Sequence, residues 1–168
     1  VQGTINGLGE RCGNTNLISL IPTLVLKTNF ITNISENNLK HLTSTSHLLD
    51  ERLNRSSLNQ SPYVGDYAFS HKGGLHVSAI AKDPSTYEHI DPKVVGNIRN
   101  IVISDQAGRS NVNSQLEDLN IKTDNETIEK IVNIVKEKQF EGYSYDGALA
   151  SFEILVRREL SQIKDYFV

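Results

Sequence analysis

The sequence predicts a mainly helical α+β chain with one or two short strands, and three observations point there. Amphipathic or apolar segments of helical period recur at Leu17–Lys27, Ser35–Leu53, Asp124–Gln139 and Tyr145–Leu160. Only the opening Val1-Gln2-Gly3-Thr4-Ile5 reads as a strand. Apolar residues make up 38% of the 168, low for a thick sandwich but enough for a real core in a polar, helix-rich module.

The opening strand runs into Asn6-Gly7-Leu8-Gly9-Glu10-Arg11-Cys12-Gly13-Asn14, a loop holding three glycines, a carboxylate, a guanidinium, a thiol and a carboxamide. Strand, polar glycine-rich loop, then helix is the arrangement in which α/β enzymes place chemistry. The helix is Leu17–Lys27, apolar nearly all round and so expected to pack on a sheet, with Pro22 costing one backbone bond. Ser35–Leu53 is the clearest amphipathic helix, with Leu39, Leu42, Leu49 and Leu53 on one side and Ser35 as N-cap. Asn54–Tyr63 is polar, contains Ser-Pro and reads as a linker. Residues 64–112, rich in glycine and polar groups, read as mostly irregular, which compact domains tolerate chiefly for function. Ser114–Leu119 is a short helix. A longer one runs to Gln139, capped by Thr123 or Asp124 and carrying Ile128, Ile131, Val132 and Val135. Gly142–Ser144 break the chain before the helix Tyr145–Leu160, and Ile163–Val168 open a further element.

Composition excludes several classes. A net charge of −3, without a patch of interleaved basic and aromatic residues, predicts no nucleic-acid partner. No apolar run approaches the roughly 20 residues of a membrane helix, and there is no signal peptide. One cysteine, Cys12, precludes an internal disulfide and fits a reducing, cytoplasmic setting. The lack of methionine and the unpartnered opening strand lead us to expect part of a longer polypeptide.

Two regions carry the candidate chemistry. Three of the five histidines fall within Phe69-Ser70-His71-Lys72-Gly73-Gly74-Leu75-His76 and Tyr87-Glu88-His89, and imidazole is the side chain best suited to proton transfer near neutral pH. Their spacing is not a metal signature, and Gly73-Gly74 argue against a helix there. An exposed loop histidine with no role is the plain alternative. Glu10 and Arg11 form either a simple ion pair or, pointing apart, a histidine-orienting carboxylate and an anion-binding guanidinium. Asn14 either caps the following helix or offers a carboxamide oxygen to an octahedral divalent ion. Cys12 is a nucleophile or inert packing. Asp105-Gln106-Ala107-Gly108-Arg109-Ser110 forms a second polar turn, an anion clamp or a surface turn.

Gly3-Thr4-Ile5-Asn6-Gly7-Leu8-Gly9-Glu10-Arg11-Cys12-Gly13-Asn14 resembles the last barrel strand and loop of the 2-isopropylmalate, citramalate and homocitrate synthase family. Ala68–His76 with Tyr87-Glu88-His89-Ile90-Asp91-Pro92 resembles that family's linker. Gly108-Arg109-Ser110-Asn111 and Ala150-Ser151-Phe152-Glu153 are most similar to the citramalate synthase branch. The resemblance runs through nearly the whole chain. It implies the last β/α unit of a TIM barrel at 1–30, a linker subdomain with a site loop at 31–112, and a helical subdomain at 113–168 leading to a regulatory domain. It implies an acyltransferase that condenses acetyl-CoA with a small 2-oxo acid at a divalent metal (manganese, magnesium or zinc). Pyruvate, giving citramalate on the isoleucine route, is the substrate expected, with 2-isopropylmalate synthesis for leucine as the alternative. By this resemblance His76 assists proton removal from the acetyl methyl, Glu10 orients it, Tyr87 reaches the same site and Asn14 joins the metal shell, which reverses the capping preference. His71 would stand behind that site as a supporting group. The linker would serve the barrel of a second subunit in a homodimer. The first-strand aspartate and the His-x-His pair are absent, so no synthase activity is expected of this chain alone. A non-catalytic dimerisation and relay module fits the composition equally well.

Overall fold

The computed structural model describes residues 1–104 and 106–163, so Asp105 of the second polar turn and most of the predicted element at 163–168 lie outside the described residues. The chain forms two compact units: residues 1–70 with 88–100, and residues 71–87 with those from 101 onward. Among the described residues the expected mainly helical class is what is found, with a single small sheet of β1 (Ser70–His71) and β2 (Asn100–Ile101).

In the first unit the predicted opening strand does not form. Thr4 makes one isolated parallel bridge to Asn16, and Ile5–Gly7 turn as a short 3-10 segment. A strand exists through its ladder, and a single bridge supplies none. Helix α1 (Leu17–Lys27) has the predicted bounds and runs through Pro22. It does not pack on a sheet: Ile18 and Pro22 are buried, while its other apolar residues are half-buried.

The long helix expected at 35–53 divides into α2 (Glu36–Leu39) and α3 (Leu42–Arg52). The carbonyl of Lys40 lies against Gly96, whose left-handed backbone (φ 71°) leaves no space for a Cβ there. Tertiary contact therefore decides where the helix breaks. Ser35 occupies the expected N-cap position without a side-chain bond. Ile18, Leu42, Val64, Phe69 and Val95 form the core of this unit.

In the second unit the segment expected to be irregular contains α4 (Gly74–Lys82), begun by Gly73 as N-cap. The glycine pair starts this helix instead of preventing it, since glycine is acceptable at an N-cap. Helix α5 (Arg109–Asp118) begins five residues earlier than expected, because the Gly108 N–H donates to Asn111 Oδ1 at 3.2 Å and opens the turn. Helix α6 (Asn125–Phe140) is capped as predicted: Asp124 accepts from the Thr127 N–H at 2.7 Å. Gly142 (φ 100°) ends it.

The last helix, α7 (Leu149–Glu159), starts four residues later than expected, after Gly147 adopts φ 73°. Helix α5 packs on both α4 and α6, and α6 on α7. The core gathers Val112 and Leu116 of α5, Ile128, Ile131, Val132 and Val135 of α6, and Phe152 and Val156 of α7. No helix among the described residues is long and apolar enough to cross a membrane.

Candidate active-site elements

The loop of the first unit is closed at its base by the Thr4 N–H to the Thr15 carbonyl (3.0 Å) and the Leu17 N–H to the Thr4 carbonyl (3.0 Å). Inside it the Asn14 N–H donates to the Gly7 carbonyl and the Gly13 N–H to the Glu10 carbonyl, both at 2.9 Å. Gly13 sits at φ 92° with its Cα face against the Gly7 carbonyl, so only glycine fits. At Gly9 a Cβ would come within 2.6 Å of the Asn14 amide nitrogen. The glycines thus let the loop fold on itself around Asn14.

The Asn14 Nδ2 donates to the Leu8 carbonyl at 3.1 Å, which turns the amide so that Oδ1 stays outside that bond. Capping of α1 falls to Asn16, whose Oδ1 accepts from the Ile18 N–H at 3.0 Å. The capping role considered for Asn14 is therefore corrected: the residue two positions on performs it. Glu10 and Arg11 do not point apart; Oε1 and Nη1 lie 3.7 Å from each other, with both side chains 83% exposed. At that distance and exposure the pair is worth little. Cys12 is also exposed.

Asn14 offers one neutral oxygen, the chemistry of a single ligand in an oxygen shell. It does not make a metal centre by itself, and among the described residues no three His, Cys, Asp or Glu side chains converge.

The second unit brings His76 and Tyr87 together. His76 lies on α4, next to Val77, which with Ile80 forms the buried side of that helix. After α4, the Asp83 carboxylate accepts from the Ser85 N–H at 2.9 Å and opens a 3-10 turn at Pro84–Thr86. Bonds from Ser85 hold that carboxyl below its usual range. The turn delivers Tyr87, whose ring stacks on the His76 imidazole with centroids 4.2 Å apart and planes inclined by 29°.

His71 is buried on β1, and its carbonyl accepts from the Val102 N–H at 3.0 Å. Asn111, fully buried, secures the approach to α4 by donating to the carbonyls of Lys72 (2.9 Å) and Val102 (3.1 Å). Glu10 and Asn14 belong to the first unit and His76 and Tyr87 to the second.

Sequence reasoning passed over two buried polar clusters in the first unit. Glu88 takes the Arg99 guanidinium bidentately, Nε to Oε1 at 2.7 Å and Nη2 to Oε2 at 2.6 Å. Asp50 accepts from the Arg55 Nε at 2.7 Å beside a cavity of about 300 Å³ that Asn6, Asn16, Ser46 and His47 also line. Adjacent acidic and polar residues along the chain gave no signal for either, because the partners lie at separations that periodicity does not report.

Comparison with known proteins bears on what these elements serve. A family profile described as "Homocitrate synthase post-HMGL domain-like" matches residues 63–142. The chain is 47% identical over 169 residues to the (R)-citramalate synthase of Aquifex aeolicus, covering 99% of this chain and 32% of that protein. It is 48% identical over 170 residues to the (R)-citramalate synthase of Synechocystis sp., covering 100% of this chain and 31% of that one. A probable 2-isopropylmalate synthase of Archaeoglobus fulgidus is 37% identical over 139 residues, 82% of this chain and 27% of that protein. The chain thus spans about a third of the length of the first two relatives. With the profile over its middle and this identity along its whole length, the chain belongs to the 2-isopropylmalate, citramalate and homocitrate synthase family, on the citramalate synthase branch.

Proposed function

We propose that the full-length protein containing this chain is a citramalate synthase-type acyltransferase, joining the methyl carbon of acetyl-CoA to the carbonyl carbon of pyruvate. The observation that carries the reading is identity of 47–48% along the whole chain to relatives named (R)-citramalate synthase. The leucine-route alternative, with a bulkier 2-oxo acid, has the weaker support of 37% identity over 82% of the chain. Residues 1–30 would be the last β/α unit of a catalytic barrel, 31–112 the linker and 113–168 the lead into a regulatory region.

In this reading a His76 ring nitrogen takes a proton from the acetyl methyl group, leaving an enolate-like carbon nucleophile. That carbon bonds to the keto carbon of the 2-oxo acid as the C=O π bond opens, and the resulting alkoxide takes up a proton to become the product hydroxyl. Water then cleaves the thioester and releases free CoA. The stack on Tyr87 limits rotation of the imidazole, an orientational contribution, and Glu10 of the subunit whose barrel the linker serves would orient the same ring. Asn14 would offer one oxygen ligand to a divalent ion, which would polarise the keto carbonyl. The linker residues act on the barrel of the second subunit of a homodimer.

The test is His76→Ala in the full-length protein. Turnover of acetyl-CoA with pyruvate should fall by about 10²–10⁴-fold, the span of a general base, with the oligomer intact by light scattering. Preserved turnover with lost assembly or feedback would instead establish a non-catalytic dimerisation and relay role. A kcat/KM higher for 2-oxoisovalerate than for pyruvate in the unaltered enzyme would move the assignment to the leucine route.

A further inference from the structure

The loop Gly7–Asn14 is bonded within itself, but its entry residue is fixed from elsewhere in the same unit. Asn6 adopts a left-handed backbone, φ 56° and ψ 18°, which costs a non-glycine residue about 1–3 kcal/mol, least for Asn, and persists where the surroundings hold it. The surroundings are α3. The Asn6 Nδ2 donates to the Ser46 carbonyl at 2.9 Å, and the Ser46 hydroxyl donates to the Asn6 Oδ1 at 2.7 Å. One turn along, Asp50 lines the same cavity as Asn6, Ser46 and Ser57, and polar interaction with Asn6 and Ser57 helps hold its carboxyl below the ordinary range against burial. Arg55 anchors Asp50 from the far side at 2.7 Å. Ser46 is 3% and Asp50 5% exposed, so these bonds are sheltered from competing water. The conformation of Asn6 then sets Gly7, whose carbonyl receives the Asn14 N–H.

We propose that Ser46 and Asp50, braced by Arg55, are positioning residues that hold the Asn6 hinge and so fix the shape of the loop presenting Glu10 and Asn14. The catalytic consequence rests on the reading of that loop given above; the positioning itself does not. Asn6 and Ser46 lie forty positions apart, and neither Ser46 nor Asp50 belongs to a motif that marks chemistry. Their burial is otherwise unexplained by the small apolar core around Ile18 and Leu42.

The experiment uses the full-length enzyme with Ser46→Ala, Asp50→Asn, Asn6→Gly and, as rescue, Ser46→Thr. Amide hydrogen exchange is followed at Gly13 and Asn14, together with kcat and KM for acetyl-CoA. Ser46→Ala and Asp50→Asn should accelerate exchange at those two amides by about tenfold, the size of one lost buried hydrogen bond, and lower kcat with KM little changed. Ser46→Thr should restore both. Asn6→Gly, which keeps the backbone conformation but loses the side-chain bonds, should accelerate exchange as well. Unchanged exchange at Gly13 and Asn14 in Ser46→Ala, the variant less disturbing to folding, would overturn the proposal. Faster exchange with unaltered kcat would uphold the positioning and remove the loop from the reaction.

Discussion

The His76 imidazole lies over the Tyr87 ring at a centroid separation of 4.2 Å, although ten residues and a helix end come between them. An aromatic pair of this kind is worth about 0.5–1.5 kcal/mol, enough to bias the ring toward one orientation without locking it. Tyr87→Phe keeps the stacked ring and should leave the ring-current shift of the His76 Hε1 proton in place. Tyr87→Ala should abolish that shift and lower turnover of the full-length protein by up to about tenfold. Equal loss in both variants would assign the effect to the phenol hydroxyl.

Asn14 and Asn16 separate two roles that sequence alone confounds. Asn16→Ala removes the bond to the Ile18 N–H and should cost about 1 kcal/mol of stability, read by urea unfolding. Asn14→Ala leaves the cap intact, so it should cost less. In the full-length protein it should weaken manganese binding, measured by calorimetry, by tenfold or more, the scale of a lost oxygen contact. Unchanged metal affinity would confine Asn14 to shaping its loop.

The Glu88 carboxylate is 2% exposed while its partner Arg99 is 34% exposed at the side chain. Replacing one member of a fully buried pair costs about 3–5 kcal/mol, because the other is left charged and desolvated. With part of the guanidinium in water the cost of Arg99→Met should sit near the lower end, about 3 kcal/mol, seen as a shift in the denaturant midpoint. Arg99→Lys should recover only part of it, since an ammonium cannot make the bidentate contact.

Asp50 gives the first unit an acid dependence. Burial pushes its carboxyl up, and hydrogen bonds from Arg55, Ser57 and Asn6, with the Arg55 charge, outweigh burial and hold it below its ordinary 3.8. A group depressed on folding adds stability that is present above its unfolded value and disappears as the pH falls through the folded one. Stability should therefore be flat from neutrality to about pH 5 and decline through and below 3.8. In Asp50→Asn this part of the acid decline should be missing from thermal unfolding curves, at a lower overall stability. An identical acid limb in both proteins would count against the ionised Asp50 network.

Much of the helical framework was legible because its signals are local. The bounds of α1, the Asp124 cap of α6 and the break at Gly142 each depend on residues within a turn of one another. So does the composition of the loop around Asn14, whose mix of glycines and polar groups marked it at once. Where a local signal was read the wrong way, a neighbour distant in sequence usually settled it. The 35–53 helix breaks where Lys40 meets Gly96, and Gly73 begins a helix because α4 gains a packing partner in α5.

The sequence by itself determined the helical class, the family and the residue types able to carry chemistry. Those follow from period, capping and motif, all written within short windows of the chain. Only the tertiary structure decided that Asn16 caps α1 in place of Asn14, that His76 stacks on Tyr87, and that Asn6 is tied to Ser46. A side chain's type fixes what bonds it is able to make but not which partner forty residues away will make them. That choice belongs to packing, where burial removes competing water and turns a possible hydrogen bond into a required one.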